Sequence, residues 1–287
     1  MYSKISIGGK IWIIVGILLV VAAILFLSKT IDKTILIIDH VTVEQESDIK
    51  AIKDSLVIPI LYSDVKLLNN LDITVRKEKF IDVILPTVLI YRHHLSQEIE
   101  KVRILKEKSR YSMEWSSDDS VFINDAFSVY KTKNIDELIK RMYPPPVSLA
   151  LAQAALESGW GSSRFFKEAN NVFGIWSFSE NDQRMAAQES RQGRSIFVKK
   201  YDNFLGSVED YHILLAKSDN YSEFRDCIHR GNNVFELIWY LRMYSERRDQ
   251  YVIMLRNVIV SNDLIKYDNY RLDPDYFDYP VDENSVF

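Results

Sequence analysis

The chain has 287 residues, 47% of them apolar and 26% charged, with a formal net charge of −4. This composition belongs to a folded globular protein with room for one substantial domain and additional segments. The acidic balance and the lack of a basic stripe exclude a nucleic-acid partner, and a single cysteine, Cys227, excludes an internal disulfide.

Ile11 to Leu27 is a run of 17 uncharged residues, flanked by Lys4 and Lys10 on one side and Lys29 and Lys33 on the other. That is the short end of the range for a spanning helix. A cleaved signal peptide competes for the same run, but Leu27-Ser28-Lys29-Thr30 is a poor cleavage site. The expectation is an uncleaved transmembrane signal anchor over 11–28 after a short N-terminal segment, 1–10. The lysine balance across it is nearly even, so orientation follows only weakly from charge.

Ile49, Ile52 and Leu56 recur at helical spacing before Pro59 and predict a helical stalk within 29–77. Phe80 to Tyr91 is apolar but only 12 residues long, too short for a second span. It continues into Leu95, Ile99, Val102 and Leu105 at helical spacing, which predicts one long helix over Glu78–Lys108 with a bend near Pro86. Helices follow over Ser120–Lys131 and Asn134–Met142. After Pro144-Pro145-Pro146 comes a nearly all-apolar helix, Pro146–Ser158, predicted to be buried on most sides. A short helix over Ser163–Ala169, a turn at Asn170-Asn171 and strand-like content in Val172–Phe178 and Ser195–Lys199 predict a small β-lobe. Ser207-x-x-Asp210 reads as a capping box opening a helix over Val208–Lys217. Two more helices, Phe235–Tyr244 and Arg248–Ser261, precede an extended tail. The adjacent His93 and His94 have poor geometry for two ligands on one helix face, and no zinc-type Cys/His spacing occurs. No metal or cofactor is expected.

The most informative stretch is Ala154 to Gly161, Ala-Ala-Leu-Glu-Ser-Gly-Trp-Gly. It puts one carboxylate, Glu157, at the end of a buried helix beside a tryptophan. Partial desolvation there raises a carboxyl pKa and keeps a proton near neutrality. Glycosidases use such an acid to protonate the leaving oxygen. A helix-end glutamate bridging to Arg164 is the plainer reading of the same residue.

Four blocks now stand in order: Pro146–Gly161, Asn-Asn-Val-Phe-Gly-Ile (Asn170–Ile175), Tyr-Asp-Asn-Phe-x-x-Ser-Val-x-Asp-Tyr (Tyr201–Tyr211) and Tyr-Ser-x-x-x-x-x-Tyr (Tyr244–Tyr251). Together they resemble the peptidoglycan N-acetylglucosaminidases of glycoside hydrolase family 73. The helical region before them makes the chain look most like the Bax-type branch of Gram-negative bacteria. The resemblance implies an α+β, mainly α fold, a lysozyme-like helical domain with a small β-lobe, here preceded by the transmembrane helix. It places the glucosaminidase domain over 78–265, with a helical extension at 78–142, a catalytic core at 143–265 and a tail at 266–287. It implies hydrolysis of the β-1,4 bond after N-acetylglucosamine in glycan strands, with the body of the protein in the periplasm and the inner membrane held through 11–28. The segment 1–10 is then cytoplasmic.

By the same resemblance Glu157 is the general acid. The second carboxylate falls in the β-lobe, at Glu189, with Glu180 and Asp182 as rivals. Tyr244 lines the cleft near the acid. Trp160, Asn171, Phe173 and Trp176 are the expected substrate-side residues, Trp176 as a sugar-stacking ring. Gly174 is expected to permit close backbone approach. A direct water attack and assistance by the substrate's acetamido group both remain open. A lytic transglycosylase and a tethered wall-binding protein with a dead cleft are the competing functions. Oligomeric state is not legible, because the apolar spacing is not a sustained heptad.

Overall fold

One long helix organises the chain in the computed structural model, which describes Gly16, residues 35–191 and residues 194–278, without the side chains of 188–195. This helix, α1, runs over Ile73–Arg110 and holds the one expected over Glu78–Lys108. Every residue from Phe80 to Tyr91 is buried in it, so here it is a core helix covered on all sides. Pro86 lies within it and donates no hydrogen bond to its own ladder. Beyond that point only the Leu95, Ile99, Val102, Ile104 and Leu105 side stays buried.

Helices α2 (Ser117–Val129), α3 (Ile135–Met142) and α4 (Val147–Ser158) follow. Ser116 caps α2, accepting from the Asp119 amide at 3.0 Å, and Asn134 caps α3. Short α5 (Arg164–Ala169) leads into an antiparallel hairpin, β5 (Arg184–Arg191) and β6 (Arg194–Lys199). Then come α6 (Phe204–Lys217), α7 (Ser222–His229), α8 (Val234–Leu237) and α9 (Asp249–Ser261). Helix α4 is central. It packs against α1, α9 and the 3-10 turn Leu264–Asn269, and its interior positions from Val147 to Ala155 are all buried. The fold is therefore mainly helical α+β.

The described part of the expected stalk contains no α-helix. It forms four short strands, β1 (Ile35–Leu36), β2 (Asp39–Thr42), β3 (Leu56–Val57) and β4 (Ile60–Ser63), with two 3-10 turns. The segment is pinned to α1 instead of standing free. The Ile52 amide donates to Asp82 Oδ1 at 3.0 Å and the Lys79 ammonium donates to the Ile49 carbonyl at 3.0 Å, while within the segment the Lys50 amide donates to the Tyr62 hydroxyl at 3.0 Å. Those bonds occupy backbone groups that a helix would have paired internally. Ile49 is buried but Leu56 is exposed, so the helical spacing marked no common face.

The tail, expected to be extended, is extended and joins short two-stranded sheets. Residues Arg271–Leu272 pair in parallel with Leu56–Val57, and Phe277–Asp278 pair antiparallel with Ile35–Leu36. Asp268 reaches the start of α4, where its carboxylate accepts from the Ser148 amide and hydroxyl, both at 2.8 Å. A negative charge there caps free amides and complements the helix dipole. The capping box at Ser207 is also absent. Asn203 caps α6, while buried Ser207 accepts from the Val172 amide at 3.0 Å and Asp210 holds Lys199 and Tyr201. The anchor expected over 11–28 lies outside the described residues apart from Gly16, as do 1–10 and 279–287. Among the described residues no helix is long and apolar enough to cross a membrane.

Candidate active site

Helix α4 ends abruptly just beyond Glu157. Gly159, Trp160 and Gly161 take left-handed φ values of 58°, 57° and 76°. Two of these positions suit glycine and the third strains a tryptophan. Ser158 fastens the turn, donating to the Ala154 carbonyl at 2.6 Å and accepting from the Gly161 amide at 3.0 Å. A Cβ on Gly161 would lie 2.6 Å from Leu68 Cδ1 and 3.1 Å from the Phe166 ring. Gly161→Ala should therefore destabilise the fold by about 1–3 kcal/mol, seen as a lower urea midpoint with unchanged slope.

Gln153 and Glu157 sit one helical turn apart on α4, so they share a face. Across from them, α9 presents Tyr251. A directed chain of hydrogen bonds joins the elements. The Tyr211 hydroxyl donates to Gln153 Oε1 at 2.6 Å, Gln153 Nε2 donates to the Tyr251 oxygen at 3.0 Å, and the Tyr251 hydroxyl donates to Glu157 Oε1 at 2.8 Å. Gln153, Tyr211 and Tyr251 are all buried. Each donor therefore has an acceptor in a setting where an unpaired one would be costly.

Glu157 is half-buried. Desolvation raises its pKa above the ordinary value, opposed by the Tyr251 hydrogen bond and the charge of Arg247. The plainer reading, a bridge to Arg164, does not hold. Arg164 pairs with Glu168 at 4.0 Å and donates to the Ala186 carbonyl of the hairpin. Glu157 is thus a carboxyl supplied with one neutral donor and biased toward its protonated form.

The other expected residues divide. Tyr244 stacks on Tyr251, with centroids 5.6 Å apart and an interplanar angle of 12°. It is Tyr251 that bonds the acid directly. Phe173 is core: it is buried and stacks on Tyr211 at 4.0 Å. Asn171 is also buried, and its side chain is spent on structure. Its Nδ2 donates to the Ile175 and Lys199 carbonyls at 3.0 and 2.8 Å, and its Oδ1 accepts from the Ile175 amide at 2.9 Å. It clamps the 171–175 turn to the end of β6. Gly174 is needed for its φ of 66°, not for close approach, since a Cβ there would meet open space.

Trp160 meets the edge of Phe80 at 5.5 Å and lies under the Lys77 ammonium at 5.0 Å. It lines a groove with Ile73, Lys77, Asn262 and Tyr267 that does not include Glu157. Its contacts are with Phe80 and Lys77, on a side of the chain turned from the Glu157–Tyr251 bond. Trp176 is 43% exposed and bridges to Val198. Its neighbour Phe178, 87% exposed with centroids 6.1 Å away, makes an aromatic pair on the lobe surface that sequence reading missed.

Glu189 lies on β5, within the stretch whose side chains are not described. Of its rivals, Glu180 pairs with Arg184 at 3.8 Å and Asp182 accepts from Ser177 at 2.9 Å. The role of Tyr251 was also missed, although it closes the last sequence block. Its signal was the i, i+4 pair Gln153 and Glu157, the two long polar side chains of a helix whose other polar residues are serines, and such a pair requires a facing partner.

Residues 132–264 match the family described as mannosyl-glycoprotein endo-beta-N-acetylglucosaminidase. The chain is similar to exo-glucosaminidase LytG of Bacillus subtilis, at 28% identity over 103 residues, covering 33% of this chain and 36% of LytG. It is similar to peptidoglycan hydrolase FlgJ of Salmonella typhimurium, at 32% over 88 residues, covering 27% of this chain and 28% of FlgJ. Protein bax of Escherichia coli matches at 28% over 110 residues, covering 36% of this chain and 39% of bax. The chain thus spans between 28% and 39% of the length of these relatives. The matched span 132–264 holds α4, Glu157 and Tyr251, and it carries a glucosaminidase family-model domain, of glycoside hydrolase family 73.

Proposed function

We propose that this protein is a peptidoglycan hydrolase cleaving the β-1,4 bond after N-acetylglucosamine, with Glu157 as general acid. The observation that carries the reading is the partly desolvated Glu157 carboxyl at the end of α4, held by the Tyr251 hydroxyl at 2.8 Å. The family match, with the similarity to exo-glucosaminidase LytG and peptidoglycan hydrolase FlgJ, supports the substrate class.

In this reading the protonated Glu157 gives its proton to the glycosidic oxygen as the bond to the anomeric carbon breaks. The carboxylate left behind keeps the Tyr251 donor, which is stronger toward an anion than toward a neutral acid. Tyr244 backs the Tyr251 ring and lines the cleft. The exposed Trp176 and Phe178 pair offers sugar-stacking faces on the lobe. Glu189, on the lobe strand, is the proposed second carboxylate. Direct water attack inverts the anomeric centre and assistance by the acetamido group retains it, so the first anomer formed separates the two routes. The apolar run over 11–28 serves as an uncleaved inner-membrane anchor with the catalytic domain on the periplasmic side.

Mass spectrometry of purified glycan strands digested by the full chain tests this function. Products ending in reducing N-acetylglucosamine are expected. Anhydro-muramic ends would instead assign a lytic transglycosylase, reducing muramic acid a muramidase, and no release at all a binding protein.

A further inference from the structure

Only the last bond of the chain Tyr211–Gln153–Tyr251–Glu157 touches the acid, and the two bonds before it fix its direction. Tyr211 comes from α6, Gln153 and Glu157 from α4, and Tyr251 from α9, so the chain closes only when three helices are docked. Tyr211, Gln153 and Tyr251 are buried, and bulk water does not replace a missing partner there.

A phenol hydroxyl both donates and accepts, and a side-chain amide turned end for end exchanges its donor and its acceptor. By atom type alone the chain could run either way. Its inner end decides. The Tyr211 hydroxyl donates to Gln153 Oε1 at 2.6 Å and has no other hydrogen-bond partner among the described residues. With the amide turned, Tyr211 would accept from Nε2 and its own proton would be buried unpaired, which is the costlier state. Tyr211 thus keeps Oε1 on its own side and Nε2 toward Tyr251. The Tyr251 oxygen then accepts from Nε2 at 3.0 Å, and its hydrogen is left for Glu157 Oε1 at 2.8 Å.

That direction has a chemical consequence. An Oε1 that accepts from Tyr251 does not also donate to it, so the acid's own proton sits on Oε2. Oε2 takes no hydrogen bond from the described residues and is not one of their buried unpaired atoms. In the opposite direction Oε1 would carry the proton and hand it to the Tyr251 oxygen, away from any leaving group. We infer that Tyr211 and Gln153 are positioning residues that hold the acidic proton of Glu157 on Oε2, Tyr211 acting through three hydrogen bonds. The inference rests on the glycosidase reading of Glu157. It adds that a hydroxyl outside the cleft selects which carboxyl oxygen protonates the glycosidic bond.

Tyr211→Phe tests this, because the ring stacked on Phe173 at 4.0 Å stays and only the hydroxyl goes. Either amide orientation then leaves one Gln153 atom unpaired, and both directions become populated. The variant should lose about 3- to 10-fold in kcat with KM unchanged, the ratio one neutral hydrogen bond sets between two states. Neutral Glu157 gains an arrangement that the carboxylate lacks, since an anion only accepts. Its carboxyl midpoint, read by carbon-13 NMR, should therefore rise. The charged and phenolic groups that reach Glu157 are Arg247, Tyr211, Tyr244 and Tyr251. The substitution removes no charge, so the rise reports the chain. In a Tyr251→Phe background, where the chain is already cut, the Tyr211 substitution should move neither kcat nor midpoint. Gln153→Met opens the chain at its middle and should reproduce both effects, which covers an unfolded Tyr211→Phe. Unmoved kcat and midpoint in the folded variants would overturn the inference. So would an equal loss with and without the Tyr251 hydroxyl, which would reduce Tyr211 to packing. In either case the glycosidase reading would stand. If wild type releases no glycan product, the glycosidase reading falls and the inference with it.

Discussion

Glu157→Gln should reduce hydrolysis of purified peptidoglycan by at least about a thousandfold, within the range that general acid catalysis contributes. The amide matches the carboxyl in shape and can still accept from Tyr251, but it has no proton of suitable acidity to give. The variant should fold normally, and its stability carries a sign. Burial raises the Glu157 pKa above 4.5, so the native state keeps this proton where the unfolded chain has released it. Native-state stability from this group is complete below pH 4.5 and is lost as pH rises through the folded value. The glutamine variant should therefore be at least as stable as wild type near neutrality, with the advantage vanishing in acid. Thermal unfolding across pH checks the sign, and dye release from labelled sacculi checks the activity. Retained activity would remove Glu157 from the chemistry.

Tyr251→Phe should lower kcat by roughly 10- to 100-fold, corresponding to the 1.5–3 kcal/mol of a hydrogen bond to a charged group. Tyr251 is a positioning residue. Its hydroxyl touches the acid, and its loss is felt most once Glu157 has become a carboxylate. The hydrogen bond also lowers the Glu157 pKa against the larger effect of desolvation. Removing it should move the alkaline limb of the pH–activity profile to higher pH, a readout that a loss of packing alone would not shift. The substitution also strips Gln153 Nε2 of its acceptor, so stability should fall by about 1–3 kcal/mol. Tyr244→Phe, one ring away, makes a useful contrast because it leaves the Tyr251–Glu157 bond in place. An unshifted limb in Tyr251→Phe would show that the bond does not tune the acid.

The parts legible from sequence were those governed by local rules. The apolar run of Val147–Ala155, the glycines after Glu157 and the long periodicity of α1 each dictate a conformation without reference to distant residues. What escaped depended on long-range partners. Ile49, Ile52 and Leu56 are spaced like a helix, but the Asp82 carboxylate and the Lys79 ammonium draw their backbone into an extended path. Ser207 and Asp210 fit a capping box, yet both are taken by residues of the β-lobe and its flank. The tail has little periodicity of its own and is ordered by pairing with strands more than 200 residues earlier in sequence. At the site, Glu157 could be found from its helix end and its neighbours. Tyr251 could not be ranked above Tyr244, because only the packing of α9 on α4 decides which hydroxyl reaches the carboxylate. Asn171 and Phe173 belong to a family-like block for structural reasons, one as a clamp and one as a stacked core ring.

The central claim is that burial raises the Glu157 pKa and so favours its acid form, and titration of its carboxyl by carbon-13 NMR tests this most directly. The resonance is identified by its disappearance in Glu157→Gln. The midpoint should lie above the 4.5 of an ordinary glutamate and rise further in Tyr251→Phe. A midpoint at or below 4.5 would contradict the assignment, since such a carboxyl would have no proton to hand to the leaving oxygen near neutrality.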